Sequence, residues 1–252
     1  MKPGRYILML VLAAFSMIAV LGFQGINSSL PNDLEDPVNV SGGKIQITAN
    51  DNVEATTVEV QGFSIDRYEV TNYQYKQFVD TTDRQAPLSW INGSHTEGAA
   101  AMPVTAVTWE DARSFCEWSG KRLPTAEEWQ LAAGADKRTY PWGDEFSSNY
   151  AYCAVPLGRM PMPVGSYKND RSPYGVKDMG GNVSEWVHDV YSIPAANGAT
   201  QQDPLGSQSG DYYVIRGASW AHSKLSQLRL TYRDYGQEGR DDVGFRLARY
   251  AE

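Results

Sequence analysis

Apolar positions in this chain fall into one long unbroken run followed by many short, interrupted ones. From Ile7 to Phe23 there are 17 residues without a charge, Lys2 and Arg5 precede them, and no later segment approaches that length. As a helix the run would span about 25 Å, near the lower limit for a hydrocarbon core of about 30 Å. A cleaved signal peptide has a shorter apolar run and a small-x-small cleavage site, for which only Val20-Leu21-Gly22 offers a poor match. Two readings stay open, an uncleaved anchor and a cleaved signal. In both, Lys2 and Arg5 remain inside and everything after Phe23 is exported, which places the domain on the extracytoplasmic side. Residues 24–43 are polar, with two prolines and no periodicity over 24–40, and read as a tether. Residues 44–252 read as one domain.

Within that domain the pattern gives three short helices. Residues 71–80 start at a Thr and place Tyr75, Phe78 and Val79 on one face. Residues 108–119 open with Thr108 three positions before Asp111, carry Ala112, Phe115, Cys116 and Trp118 on an apolar stripe, and stop at Gly120. Residues 125–133 open with Thr125 three positions before Glu128 and stop at Gly134. Elsewhere Gly, Pro, Asn and Asp punctuate the chain too often for anything but short strands and long loops. The expected fold class is therefore α+β and loop-rich, preceded by one N-terminal transmembrane or signal-anchor helix.

Composition narrows the function. The 252 residues are 42% hydrophobic and 21% charged, as in folded domains, and a single long apolar run excludes a multispanning bundle. Beyond Phe23 the chain has 20 Lys and Arg against 30 Asp and Glu. Nucleic acid is excluded as an expected partner, because tracking phosphates needs a basic face.

In order along the chain come FSIDRYEVTNYQYKQFV (63–79), PVTAVTWEDARSFCEWSGKRLPTAEEWQLAA (103–133), YPWGDEF (140–146), PVGSY (163–167), YGVKDMGGNVSEWVHD (174–189), IRGASW (215–220) and GFRLAR (244–249). This series resembles the formylglycine-generating enzyme, or sulfatase-modifying factor, family, over about 200 residues. The resemblance implies a compact fold related to C-type lectins. It does not fix an activity, because the family includes copper-dependent oxidases, iron-dependent sulfoxide synthases with an additional helical domain, maturation proteins and members without known chemistry.

The oxidases hold copper between two thiolates, three and eight residues beyond the serine that corresponds to Ser219. Soft thiolates select Cu(I). Here those positions are His222 and Gln227, so copper or iron is not expected, nor is formylglycine-generating oxidase activity. The resemblance also implies a structural calcium held by side-chain oxygens of Asp178 and Glu185 and by carbonyls of Gly181 and Val183. Such a set suits an ion that takes six to eight oxygens at about 2.3–2.6 Å. The alternative is that Asp178 and Glu185 satisfy neighbouring amides.

The remaining candidates carry weaker signals. Cys116 and Cys153 are the only thiols, and either a disulfide or two buried thiols is compatible with their spacing. His95, His188 and His222 are too scattered for a metal triad. Arg216, Arg229, Arg233 and Arg246 surround the C-terminal motif, with buried carboxylates such as Glu69, Glu127 or Glu128 as expected partners, or else an anionic or peptide ligand near Ser219 and Trp220. The seven tryptophans fall mostly inside the motifs and read as core. Asn92-Gly93-Ser94 matches a glycosylation acceptor. Ser219, Trp220, His222, Gln227, Arg229 and Arg233 form the expected ligand cleft, with Ser219 and His222 the candidates for catalysis. The reading as a whole is a membrane-tethered binding or accessory subunit, whose partners are membrane proteins reached through residues 7–23 and the domain surface, or a peptide or small ligand. The alternative is a metal-dependent oxidoreductase or maturation factor working at Ser219 and His222.

Overall fold

A computed structural model describes residues 30–47, 56–134, 138–146, 160–191 and 212–251. The apolar run at 7–23 and Cys153 lie outside these residues. No helix among the described residues is long and apolar enough to cross a membrane.

Among the described residues, nine short strands and three α-helices make a mixed α and β fold. The strands are β1 (Pro37–Val40), β2 (Gly43–Ile47), β3 (Thr56–Val60), β4 (Phe63–Asp66), β5 (Ser184–Val190), β6 (Tyr213–Arg216), β7 (Arg233–Gly236), β8 (Val243–Phe245) and β9 (Ala248–Tyr250). They form an antiparallel sheet β1-β4-β9, a hairpin β2-β3, and a four-stranded sheet β7-β6-β5-β8 in which β5 and β8 run parallel. The C-terminal strands β8 and β9 thus join two sheets, and the Arg246 side chain lies between them.

The helices are α1 (Asn72–Thr81), α2 (Trp109–Trp118) and α3 (Ala126–Ala133). All three start at a threonine whose hydroxyl accepts from the amide three residues on, while that residue's side chain returns to the cap amide. α3 ends at Gly134 in the left-handed conformation, as a glycine stop should. The apolar faces of α1 and α2 meet Trp186, Ile215 and Phe245 of the four-stranded sheet. Tyr75 stacks on Phe115 at 5.5 Å, and Phe245 meets both rings edge-on. α3 packs instead with Val38, Val40, Ile65 and Val187, so Trp129 is buried between the sheets.

The domain begins earlier than residue 44. Val38 and Val40 are buried, β1 pairs with β4 from Pro37↔Asp66 to Val40↔Phe63, and Arg67 meets Asp33 at 3.1 Å. Pro37 hid this strand from the sequence reading. A proline can open an edge strand without breaking a ladder, and Val38 and Val40 supply the period of two.

Candidate functional site

The chain leaves β6 at Arg216 and turns through Gly217, whose φ of 75° favours glycine and whose missing side chain admits Trp129. A Cβ there would lie 2.9 Å from the indole. This turn buries Ser219 completely. The Ser219 hydroxyl donates to Asp242 Oδ2 at 2.8 Å, and the Ser219 amide donates to His222 Nδ1 at 2.9 Å. Asp242 is held in turn by Arg240, which also reaches Asp234. Burial raises Asp242, but Arg240 and the Ser219 hydroxyl outweigh it and keep the carboxylate below its usual range. Burial lowers His222, consistent with a neutral ring whose Nδ1 lone pair is already used.

This array contains a serine, a histidine and an aspartate, with the serine hydroxyl directed to the carboxylate. Ser219 has no exposed surface, and its proton points to Asp242. His222 packs edge-on against Tyr232 at 5.3 Å. Gln227 accepts from the Lys224 amide at 3.1 Å. The two positions that correspond to the copper thiolates of the oxidases thus carry an imidazole packed on Tyr232 and a carboxamide, with no thiolate to offer a soft metal.

The open space lies beside Trp220. A groove of about 900 Å³ is lined by residues 83–89, 105–108, Asp111, Met160, Pro161, Trp220, Glu238, Gly239 and Asp241, together with Tyr75. Of the six residues expected to form the cleft, only Trp220 lines it. Ser219 and His222 sit beneath the surface, and Arg229 and Arg233 are exposed outside the groove. The walls carry Asp83, Asp111, Glu238 and Asp241 against one cation, Arg84, which faces Asp111 at 3.6 Å. Leu88, 94% exposed, forms an apolar lip, and Ala106 occupies the wall with a φ of 58°. Sequence reading missed the 83–89 and 238–241 walls, because scattered acids on two distant loops leave no local pattern.

The loop at 178–185 is a second polar centre. Asp178 and Asn182 both take left-handed φ values, 59° and 64°, which bend the backbone sharply at each end of the double glycine. Glu185 receives Arg246 through two bonds of 2.7 Å and the Trp129 indole N–H at 2.9 Å, so each oxygen accepts at least one donor. Asp178 accepts from the Gly165 amide beside the buried Glu69, whose Oε1 accepts from Asn182 Nδ2 at 3.1 Å and whose Oε2 has no hydrogen-bond partner among the described residues. Burial raises Asp178 to about 6; burial and the Asp178 charge lift Glu69 well above its normal value. Arg246 therefore pairs with Glu185 rather than with Glu69, and Glu128 pairs with Arg122. Arg216 is fixed by Gln130 and three carbonyls. A calcium ion at Glu185 would compete with Arg246 and the Trp129 N–H, which already donate to its two oxygens. No group of three or more His, Cys, Asp and Glu side chains converges on a metal position among the described residues.

The family model for the sulfatase-modifying factor enzyme 1-like domain matches residues 23–251. The chain belongs to this family. It is 30% identical over 244 residues to a hercynine oxygenase of Mycolicibacterium smegmatis, a match covering 77% of the chain and 54% of that protein. The chain thus spans about half the length of that relative, and a smaller share of some others. It is 29% identical over 253 residues to the inactive C-alpha-formylglycine-generating enzyme 2 of Bos taurus, with 76% of the chain and 78% of that protein covered. The solved structure of PvdO from Pseudomonas aeruginosa superposes with a TM-score of 0.68 at 22% identity, covering 89% of the chain and 98% of that structure. At that identity the superposition shows the fold.

Proposed function

We propose that the chain is a non-catalytic member of the family, tethered to a membrane through residues 7–23 and exposing its domain on the extracytoplasmic side as a binding or accessory subunit. The observation that carries this reading is the pairing of a closed centre with an open groove. His222 and Gln227 offer no thiolate, His222 packs against Tyr232, and Ser219 is buried. Beside them the groove at Trp220 stays accessible, with four carboxylates to one guanidinium. Relatives of similar identity include a protein named as an oxygenase and one named as inactive, so the site must decide between them.

The groove's charge favours a cationic ligand, with Trp220 and Leu88 supplying apolar contact. A fluorescent oligo-arginine peptide and an oligo-glutamate peptide test this on the full-length chain. The cationic probe should bind, weaken with added salt, and weaken further in Glu238→Lys and Asp241→Lys. Equal binding of both peptides, or indifference to both substitutions, would contradict it. A protease-accessibility assay on intact cells tests the tether and its orientation.

A further inference from the structure

Arg246 has no exposed surface, and a guanidinium has five N–H donors. All five are used. Nε and Nη2 donate to the two oxygens of Glu185, each at 2.7 Å, and Nη2 also donates to the Lys177 carbonyl at 2.9 Å. Nη1 reaches the carbonyls of Asp66 and Arg67 at 3.2 and 3.1 Å. These oxygens come from three separate places: the end of β4, the approach to the 178–185 loop, and β5 itself.

Gathering carboxylate and carbonyl oxygens from distant segments around one positive charge is the structural work of a bound calcium. We propose that Arg246 is the resident cation of this centre, and that the fold does not draw on calcium for its stability. Glu185, the one carboxylate of the expected calcium set on β5, is already neutralised by an arginine built into the chain. A divalent ion entering here would share the Glu185 oxygens with the guanidinium and sit against its charge. The Trp129 N–H on Glu185 Oε2 adds a third donor that an ion would have to compete with.

Thermal unfolding of the full-length chain in excess EDTA and in millimolar Ca²⁺, with metal analysis after desalting, reads this directly. The midpoint should be the same in both, with no calcium retained. A site filled a hundredfold over its dissociation constant would raise the midpoint by about 5–10 °C. A rise of that size, or one calcium retained per chain, would overturn the proposal. Arg246→Ala supplies the converse measurement, because it frees the Glu185 carboxylate and three carbonyls. That variant should gain a calcium-dependent rise that the native chain lacks. A folded R246A chain as indifferent to calcium as the native one would refute the role of the guanidinium as stand-in. Should R246A stay unfolded in both buffers, the native comparison decides alone.

Discussion

Asp189 gives a pH dependence whose sign can be fixed from its surroundings. It is buried on β5, and its Oδ2 accepts from the Ala126 amide at 2.7 Å, at the start of α3. Burial and the neighbouring Glu127 charge push its carboxyl up, outweighing the Ala126 amide, Arg233 and Arg216, and it reaches about 7 from an ordinary 3.8. Between those two values the folded chain holds a proton that the unfolded chain has released. The stabilisation is fully present below about pH 4 and is lost as pH rises through about 7. A shift of roughly three units corresponds to about 4 kcal/mol of stability lost across that window. Asp189→Asn keeps an oxygen for the Ala126 amide and removes the titration. Urea unfolding of both chains, followed by tryptophan fluorescence between about pH 4 and pH 8, should show equal stabilities in acid and a growing advantage for D189N toward pH 8. A difference that does not change with pH would refute the assigned cause.

Three further outcomes follow from particular contacts. Thr125→Ala removes the hydroxyl that accepts from the Glu128 amide and should cost about 1 kcal/mol in urea unfolding. Gly217→Ala meets both a positive φ and the Trp129 ring at 2.9 Å; it should lower stability by about 2 kcal/mol or more, visible as a lower thermal midpoint. Cys116 is 1% exposed and its thiol is held far above the usual range, chiefly by burial, so iodoacetamide should modify it only after denaturant is added, as read by mass spectrometry of its peptide.

The helices could be read from the sequence because their signals are local. Thr108 with Asp111 and Thr125 with Glu128 mark starts that the backbone obeys, and Gly134 marks a stop. β1 could not, because its proline and polar neighbours look like a tether until Phe63 and Ile65 are placed opposite. The same limit applies to the site. Trp220 was recognisable within its motif, but the acidic walls come from loops 150 residues apart and meet only through the packing of α1, α2 and the C-terminal strands. Glu185 reads from the sequence as a calcium ligand or as a partner of neighbouring amides. Its arginine partner was not legible, since Arg246 reaches it only because β5 and β8 lie side by side in parallel.

The central claim, binding without oxidation, is tested most directly by incubating the purified full-length chain with copper, reductant, oxygen and a cysteine-containing sulfatase peptide, and weighing the peptide. His222 and Gln227, which offer no thiolate pair for Cu(I), predict a peptide of unchanged mass at every copper level. Conversion of its cysteine to formylglycine by this chain would contradict the account.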